Sequence, residues 1–362
     1  MLKKVLLGLS IVCGAFMLFF LDGLIGQPAR SKEKYIKPES KDSYNEYGLP
    51  NGVELSEELI FSNDEVVCYT DRIFKHFVAD GDSPGDIAKA CDNISAGIQG
   101  IDHFIIIPVP SRIMYEDGFE EDKEEYEQFV SGLKSSILKE WMMLDVKECF
   151  DTHPDENLYY RTHDSITLLG GLYSANALVD SLGGEPLSRD KFQTFQYNSE
   201  YGSLYVNWMR SSDLTATQRE RMSEMAPDPI YSYAINGRTF NEVLYKSETD
   251  SYERPAILMS SVAGGEAIGS GFLRAVIDGE GRSFPGSIAF IVGDSSADKI
   301  APYLAYYYDT VCVIAINGED DIRSTVSKLR MDYETADFIW AQNAGKMGER
   351  AYSKVLNSFR EE

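Results

Sequence analysis

Apolar and polar residues are distributed along the chain in three distinct ways. From Val5 to Leu21 no charge interrupts an apolar run at the short end of the roughly 17–25 residues that span a bilayer. From Gln27 to about Asn51 the sequence is polar and aperiodic, as a tether is. Beyond it, apolar residues recur at helical or strand spacing. The spacing predicts a helix over Asp86–Gln99, a buried strand over Asp102–Val109, and helices over Lys123–Leu144 and Thr167–Leu182. Thr167 can cap the last of these, and Gly183-Gly184 can stop it. His76 falls in DRIFKHF, which reads as helical. Between about 187 and 254 the pattern weakens into aromatic-rich, turn-rich sequence, predicting a loop-rich insertion. Regular alternation then returns. Ser287–Val292, Thr310–Ile316 and Ala336–Ala341 predict strands, with helices over Ala297–Tyr308 and Asp320–Leu329 between them. Apolar strands alternating with helices imply an α/β fold, a parallel sheet covered by helices on both faces. Sites in such folds lie at the carboxyl ends of the strands.

Lys3 and Lys4 directly precede the apolar run, as in the basic region of an export signal. No small-x-small cleavage site follows, so residues 1–26 read as an uncleaved signal anchor, 27–51 as the tether and 52–362 as the working body. Arg30, Lys32, Lys34, Lys37 and Lys41 lie beyond the span and by count favour the cytoplasmic side. They begin only after a polar spacer, and the expected arrangement is a single-pass protein of the cell membrane with its body outside. Composition narrows the partners. With 58 acidic and 34 basic residues the net charge is −24, which argues against nucleic acid. With 43% hydrophobic and 12% aromatic residues, disorder is excluded. Cys68, Cys91, Cys149 and Cys312 can be two disulfides or buried thiols.

One place concentrates chemistry. The strand ending near Val292 runs into Gly293-Asp294-Ser295-Ser296, and a helix follows. A serine at such a turn is exposed at the sheet edge beside helix N–H groups that can hold an oxyanion. Ser295 with Asp298 also fits an ordinary helix cap. A nucleophilic serine needs a base, and the chain has only four histidines: His76, His103, His153 and His163. His163 precedes a helix and sits beside Asp164, a carboxylate that can orient it. No HxH, HExxH or Cys/His cluster suggests a metal, and the glycines from Gly264 to Gly271 lack a P-loop lysine, so no cofactor is expected.

Phe104–Tyr115 (FIIIPVPSRIMY), Leu158–Ala177 (LYYRTHDSITLLGGLYSANA), Tyr201–Tyr205 (YGSLY) and Ile288–Ile316 occur in an order that resembles the DHHW family. These are exported proteins related to alginate O-acetyltransferases and to SGNH hydrolases. The resemblance implies an SGNH-like fold, a nucleophile at Ser295 flanked by Asp294 and Ser296, and an acyl donor protein or cell-surface glycan as partner. The chain departs from the family's signature. Where members read T-D-H-H-W-T, it reads Thr162-His163-Asp164-Ser165-Ile166-Thr167, with His163 and Ser165 at the expected Asp and His positions. The family's Gly-Gly-Asn segment corresponds to Gly264-Gly265-Glu266, placing a negative charge where negative charge would develop. Two readings remain open at this level. One is a serine-dependent O-acyltransferase or esterase on surface polysaccharide, with Ser295 as nucleophile, His163 and Asp164 as a rebuilt base, and N–H groups near Ser295, Gly264 and Gly265 as oxyanion donors. The other is a degenerate member that binds glycan or scaffolds partners. If Thr162–Ser165 is extended, His163 and Asp164 point to opposite faces; a turn relaxes that restriction.

Overall fold

A computed structural model describes residues 55–78, 83–137, 140–189, 192–235, 243–247, 254–255, 271–275, 283–315 and 322–347. The expected anchor and tether lie outside these residues, and no helix among them is long and apolar enough to cross a membrane. In chain order the elements are β1 (Leu59–Ser62), β2 (Val66–Tyr69), β3 (Ile73–Lys75), α1 (Pro84–Gly97), β4 (His103–Val109), a short 3-10 turn (Arg112–Tyr115), α2 (Glu120–Ser136) and β5 (Trp141–Met143). There follow α3 (Lys147–Asp151), α4 (Leu168–Ser181), β6 (Phe192–Glu200), α5 (Ser203–Arg210), α6 (Ala216–Met222), β7 (Asp228–Ile235), β8 (Val243–Ser247), β9 (Arg254–Pro255) and β10 (Gly271–Ala275). The last are β11 (Phe284–Gly293), α7 (Ser295–Leu304), β12 (Tyr308–Ala315), α8 (Ile322–Arg330), β13 (Thr335–Asn343) and α9 (Ala344–Met347).

The main sheet has eight strands in the order β5-β4-β13-β11-β12-β10-β8-β9. From β5 to β12 every pair is parallel. Successive residues of these strands serve two cores, as the two-residue repeat of a strand requires. On one face Ile105, Ile107, Ala289, Ile291, Val311, Val313, Ile339 and Ala341 pack against α4 and α7. On the other, Phe104, Ile106, Phe290, Val292, Cys312, Phe338 and Trp340 pack against α1, α2 and α8. This double burial is why the strands read as unbroken apolar runs, and it bears out the expected parallel sheet with helices on both faces.

The expectation needs four changes. The parallel sheet continues antiparallel through β10, β8 and β9. The helix expected over Lys123–Leu144 ends at Ser136, and Trp141–Met143 instead forms an edge strand on β4. The Trp141 indole N–H donates to the Cys91 carbonyl at 2.9 Å, anchoring that edge to α1. Within 187–254, β6 and β7 form a long antiparallel ribbon with α5 and α6 between them. A bulge between Gln196 and Asn198 breaks the alternation that would have marked β6 as a strand. His76 follows β3 of a three-stranded sheet and is not helical. The four cysteines from Cys68 to Cys312 are free thiols, and burial pushes Cys68 up to about 12.

Candidate functional site

Three parallel strands, β4, β13 and β11, lie side by side and deliver their carboxyl ends to one edge. At the end of β11 a Cβ on Gly293 would overlap the Ala341 carbonyl of β13, so only glycine allows this close approach. Asp294 then caps α7. Its carboxylate accepts the Ser296 N–H at 2.9 Å and its carbonyl the Ala297 N–H at 3.0 Å. The cap is therefore Asp294 rather than Ser295, and the first amides of α7 are already engaged. Ser295 is the first helical residue and is half-buried. The Ser296 hydroxyl is buried without a hydrogen-bond partner among the described residues.

From β13, the Asn343 N–H approaches both Asp294 carboxylate oxygens at 3.4 Å. Its side-chain oxygen accepts from the Ser111 hydroxyl beyond β4, at 3.0 Å, and from the Gly345 N–H, at 3.0 Å. One turn on, Lys346 Nζ lies 3.4 Å from Asp294 Oδ2 and 3.3 Å from Asp164 Oδ2, and donates to the Asp164 carbonyl at 3.3 Å. A single ammonium thus joins the turn before α7 to the loop before α4.

That loop is a tight turn. Tyr159 bridges to Ile166, the Tyr160 N–H donates to the Ser165 carbonyl at 3.2 Å, and the Thr167 N–H donates to the Leu158 carbonyl at 2.8 Å. Asp228, at the start of β7, holds its base. The carboxylate accepts the Arg161 and Thr162 N–H groups, each at 2.8 Å, and the Thr162 hydroxyl at 2.5 Å. The Arg161 guanidinium donates to the carbonyls of Asp71 and Pro227. Gly202 lies against the Thr162 carbonyl and donates its N–H to the Thr162 hydroxyl at 2.7 Å, so the 187–254 segment grips the loop from outside.

His163 and Asp164 occupy the tip. Burial alone would raise Asp164, but Lys346, Lys75 and His163 hold its carboxyl below the usual range. Burial, then Lys346, then Lys299 push His163 down to about 4, so its imidazole is neutral at pH 7. Its Nδ1 is buried without a hydrogen-bond partner among the described residues, and the ring meets Tyr160 edge-on with centroids 6.2 Å apart. Ser165, where the signature would have its histidine, is buried and donates to the Ile166 carbonyl. In α7, burial lowers Lys299 and raises Asp298.

The structure therefore gathers Asp294, Ser295 and Ser296 at the head of α7, with His163 and Asp164 around Lys346. Among the described residues His163 makes no hydrogen bond to Ser295, and Asp164 is committed to Lys346 rather than to the imidazole. Gly264 and Gly265 lie outside the described residues. No group of three or more His, Cys, Asp or Glu that could hold a metal occurs among the described residues. Lys346, Asn343 and Asp228 are the residues that sequence reasoning missed. The strand-end rule, applied to ADFIWAQN and the AGKM after it, points to Asn343 and Lys346; nothing local marks Asp228.

No family model matches the chain, and no curated protein matches it either. Among solved structures, a DHHW family protein from Eubacterium siraeum is similar with a TM-score of 0.65 at 14% identity, covering 84% of this chain and 98% of that one. The chain has a DHHW-type fold. Bacillus cereus PatB1, solved with a sulfonyl adduct, is similar at a TM-score of 0.57 and 10% identity, covering 82% of this chain and 98% of that one. The O-acetyltransferase domain of Pseudomonas putida AlgJ aligns at a TM-score of 0.46 and 13% identity, over 83% of this chain and 99% of that one. At these identities the likeness is one of fold.

Proposed function

We propose that this DHHW-type body binds neutral, acylated glycan at the cell envelope and does not itself transfer acyl groups. The observation that carries this reading is the Lys346 bridge, which ties up both Asp164 and Asp294 where a base and a nucleophile would have to cooperate. A histidine pushed down to about 4 is also a poor proton acceptor for a serine hydroxyl. What is left suits recognition of uncharged groups. The unpartnered His163 Nδ1 and Ser296 hydroxyl, with half-buried Ser295 between the same elements, supply neutral hydrogen-bonding positions. The apolar run Val5–Leu21 would hold this body on the outer face of the membrane.

The acyl-transfer reading keeps one observation of its own: Ser295 begins a helix at a strand end, in a fold that in PatB1 has been solved with a sulfonyl adduct. Both readings meet in one experiment. The full chain in detergent is screened on a glycan array and treated with a sulfonyl fluoride. The expected result is binding to acetylated neutral glycans that survives Ser295→Ala, with no adduct on Ser295. An adduct that forms in the parent and vanishes in Ser295→Ala establishes acyl-transfer chemistry instead. Recovery of the chain in the soluble fraction of cells would overturn the membrane attachment.

A further inference from the structure

We infer that Lys346 is the residue that silences Ser295, by drawing the Asp164 carboxylate to itself and away from His163. The inference rests on the binding reading above and deepens it, because it names the side chain responsible. Three distances carry it: 3.3 Å to Asp164 Oδ2, 3.3 Å to the Asp164 carbonyl oxygen and 3.4 Å to Asp294 Oδ2. In a working serine centre a carboxylate accepts from the imidazole Nδ1–H, which fixes the ring and stabilises the imidazolium as the serine proton arrives. Here the neighbouring carboxylate is present but faces the wrong cation, and His163 Nδ1 is left buried without a hydrogen-bond partner among the described residues.

Every charged group around the imidazole works in a known direction. Lys346 after β13 and Lys299 on α7 oppose a proton on His163, and Asp164 on the same loop favours one. Lys75 of β3 acts on Asp164, Asp294 is joined to the cluster through Lys346, and the Tyr160 ring lies edge-on to His163. Removing the Lys346 charge therefore raises the affinity of His163 for a proton. It also frees Asp164 to accept from Nδ1. In a sulfonyl fluoride probe reaction, the Ser295 Oγ–S bond would then form as the S–F bond breaks. Fluoride leaves, and the hydroxyl proton passes to His163.

The test uses the full-length protein with isotope-labelled histidine, in which four imidazole signals are few enough to assign with His163→Gln. In Lys346→Gln the His163 titration midpoint is expected to move upward by about half a pH unit or more. Ser295 sulfonylation should rise by roughly tenfold or more over the parent. Lys346→Arg keeps the charge and should behave as the parent. Taking the Lys346 ammonium away from Asp164 and Asp294 can destabilise the site, so Lys346→Gln is paired with Asp164→Asn in a double variant. There the labelling gain should disappear, because no carboxylate remains to orient His163. A His163 midpoint that does not move, or that moves without any gain in Ser295 labelling, overturns the inference. So does equal labelling of Lys346→Gln and the double variant. An adduct in the parent protein instead overturns the binding reading, so the two failures are distinguishable.

Discussion

His163 couples the site to the stability of the whole body. Its folded pKa is about 4 against an ordinary value of 6.5, so the unfolded chain takes up the proton first as the solution is acidified. The stability that the neutral imidazole preserves is fully present above about pH 6.5 and is lost as the pH falls toward 4. Linkage sets the loss at about 3 kcal/mol. Urea denaturation at pH 7 and pH 4 should show a fall of that size in the parent beyond the fall in His163→Gln; equal falls would refute it. Asp228 makes a second prediction. Its carboxylate is buried, accepts the Arg161 and Thr162 N–H groups and the Thr162 hydroxyl, and lies 3.6 Å from the buried Arg161 Nε, so Asp228→Ala removes a counter-charge from the guanidinium and the acceptor of all three hydrogen bonds. The expected cost is about 3–5 kcal/mol, read from the denaturation midpoint. Ser295, Asp294 and His163 were legible in the sequence because a strand-to-helix turn and a histidine beside a carboxylate have local signatures. The strand-end rule marks the position of Lys346 but not its pairing with Asp164, 182 residues away, and nothing local marks Asp228, 66 residues from Thr162; only the fold makes these residues neighbours.

Among the elements, α4 and α7 carry the two halves of the site and approach backbone to backbone. A Cβ on Gly171 would overlap the Lys299 carbonyl, so Gly171 sets the separation of the helices. Gly171→Ala should force them apart, costing about 3 kcal/mol and shifting the His163 loop relative to Ser295. Chemical denaturation together with the His163 signal checks both effects, and an unperturbed protein would contradict the close packing. The apolar strands and their helices were readable because burial on both faces erases polar residues. β5 was hidden since its three residues continue the apolar spacing of α2, and β6 since its bulge breaks the alternation. The antiparallel extension escaped for a different reason: β8, β9 and β10 are two to five residues long, too short to show a period.

For the whole molecule, the −24 charge shapes partners more than architecture. Self-repulsion among surface carboxylates weakens with salt, so raising ionic strength from about 20 mM to about 200 mM should stabilise the body by about 1 kcal/mol, or roughly 2 °C in Tm. A flat salt profile would show that the acidic residues are already balanced locally. The same charge should keep phosphate-rich polymers off the surface and leave neutral glycans unaffected, which a salt-dependent pull-down distinguishes. The position of β13 has a separate consequence, for the order in which the protein can be made. It lies between β4 and β11, yet His103 of β4 meets Asp337 of β13 across 234 residues of chain. On the ribosome, or on emerging from an export channel, β4 is out long before the strand that covers its inner edge. Until Thr335–Asn343 appears, β4 and β11 present two apolar open edges that can pair with other chains, so a truncation before Thr335 should aggregate instead of folding to a smaller domain.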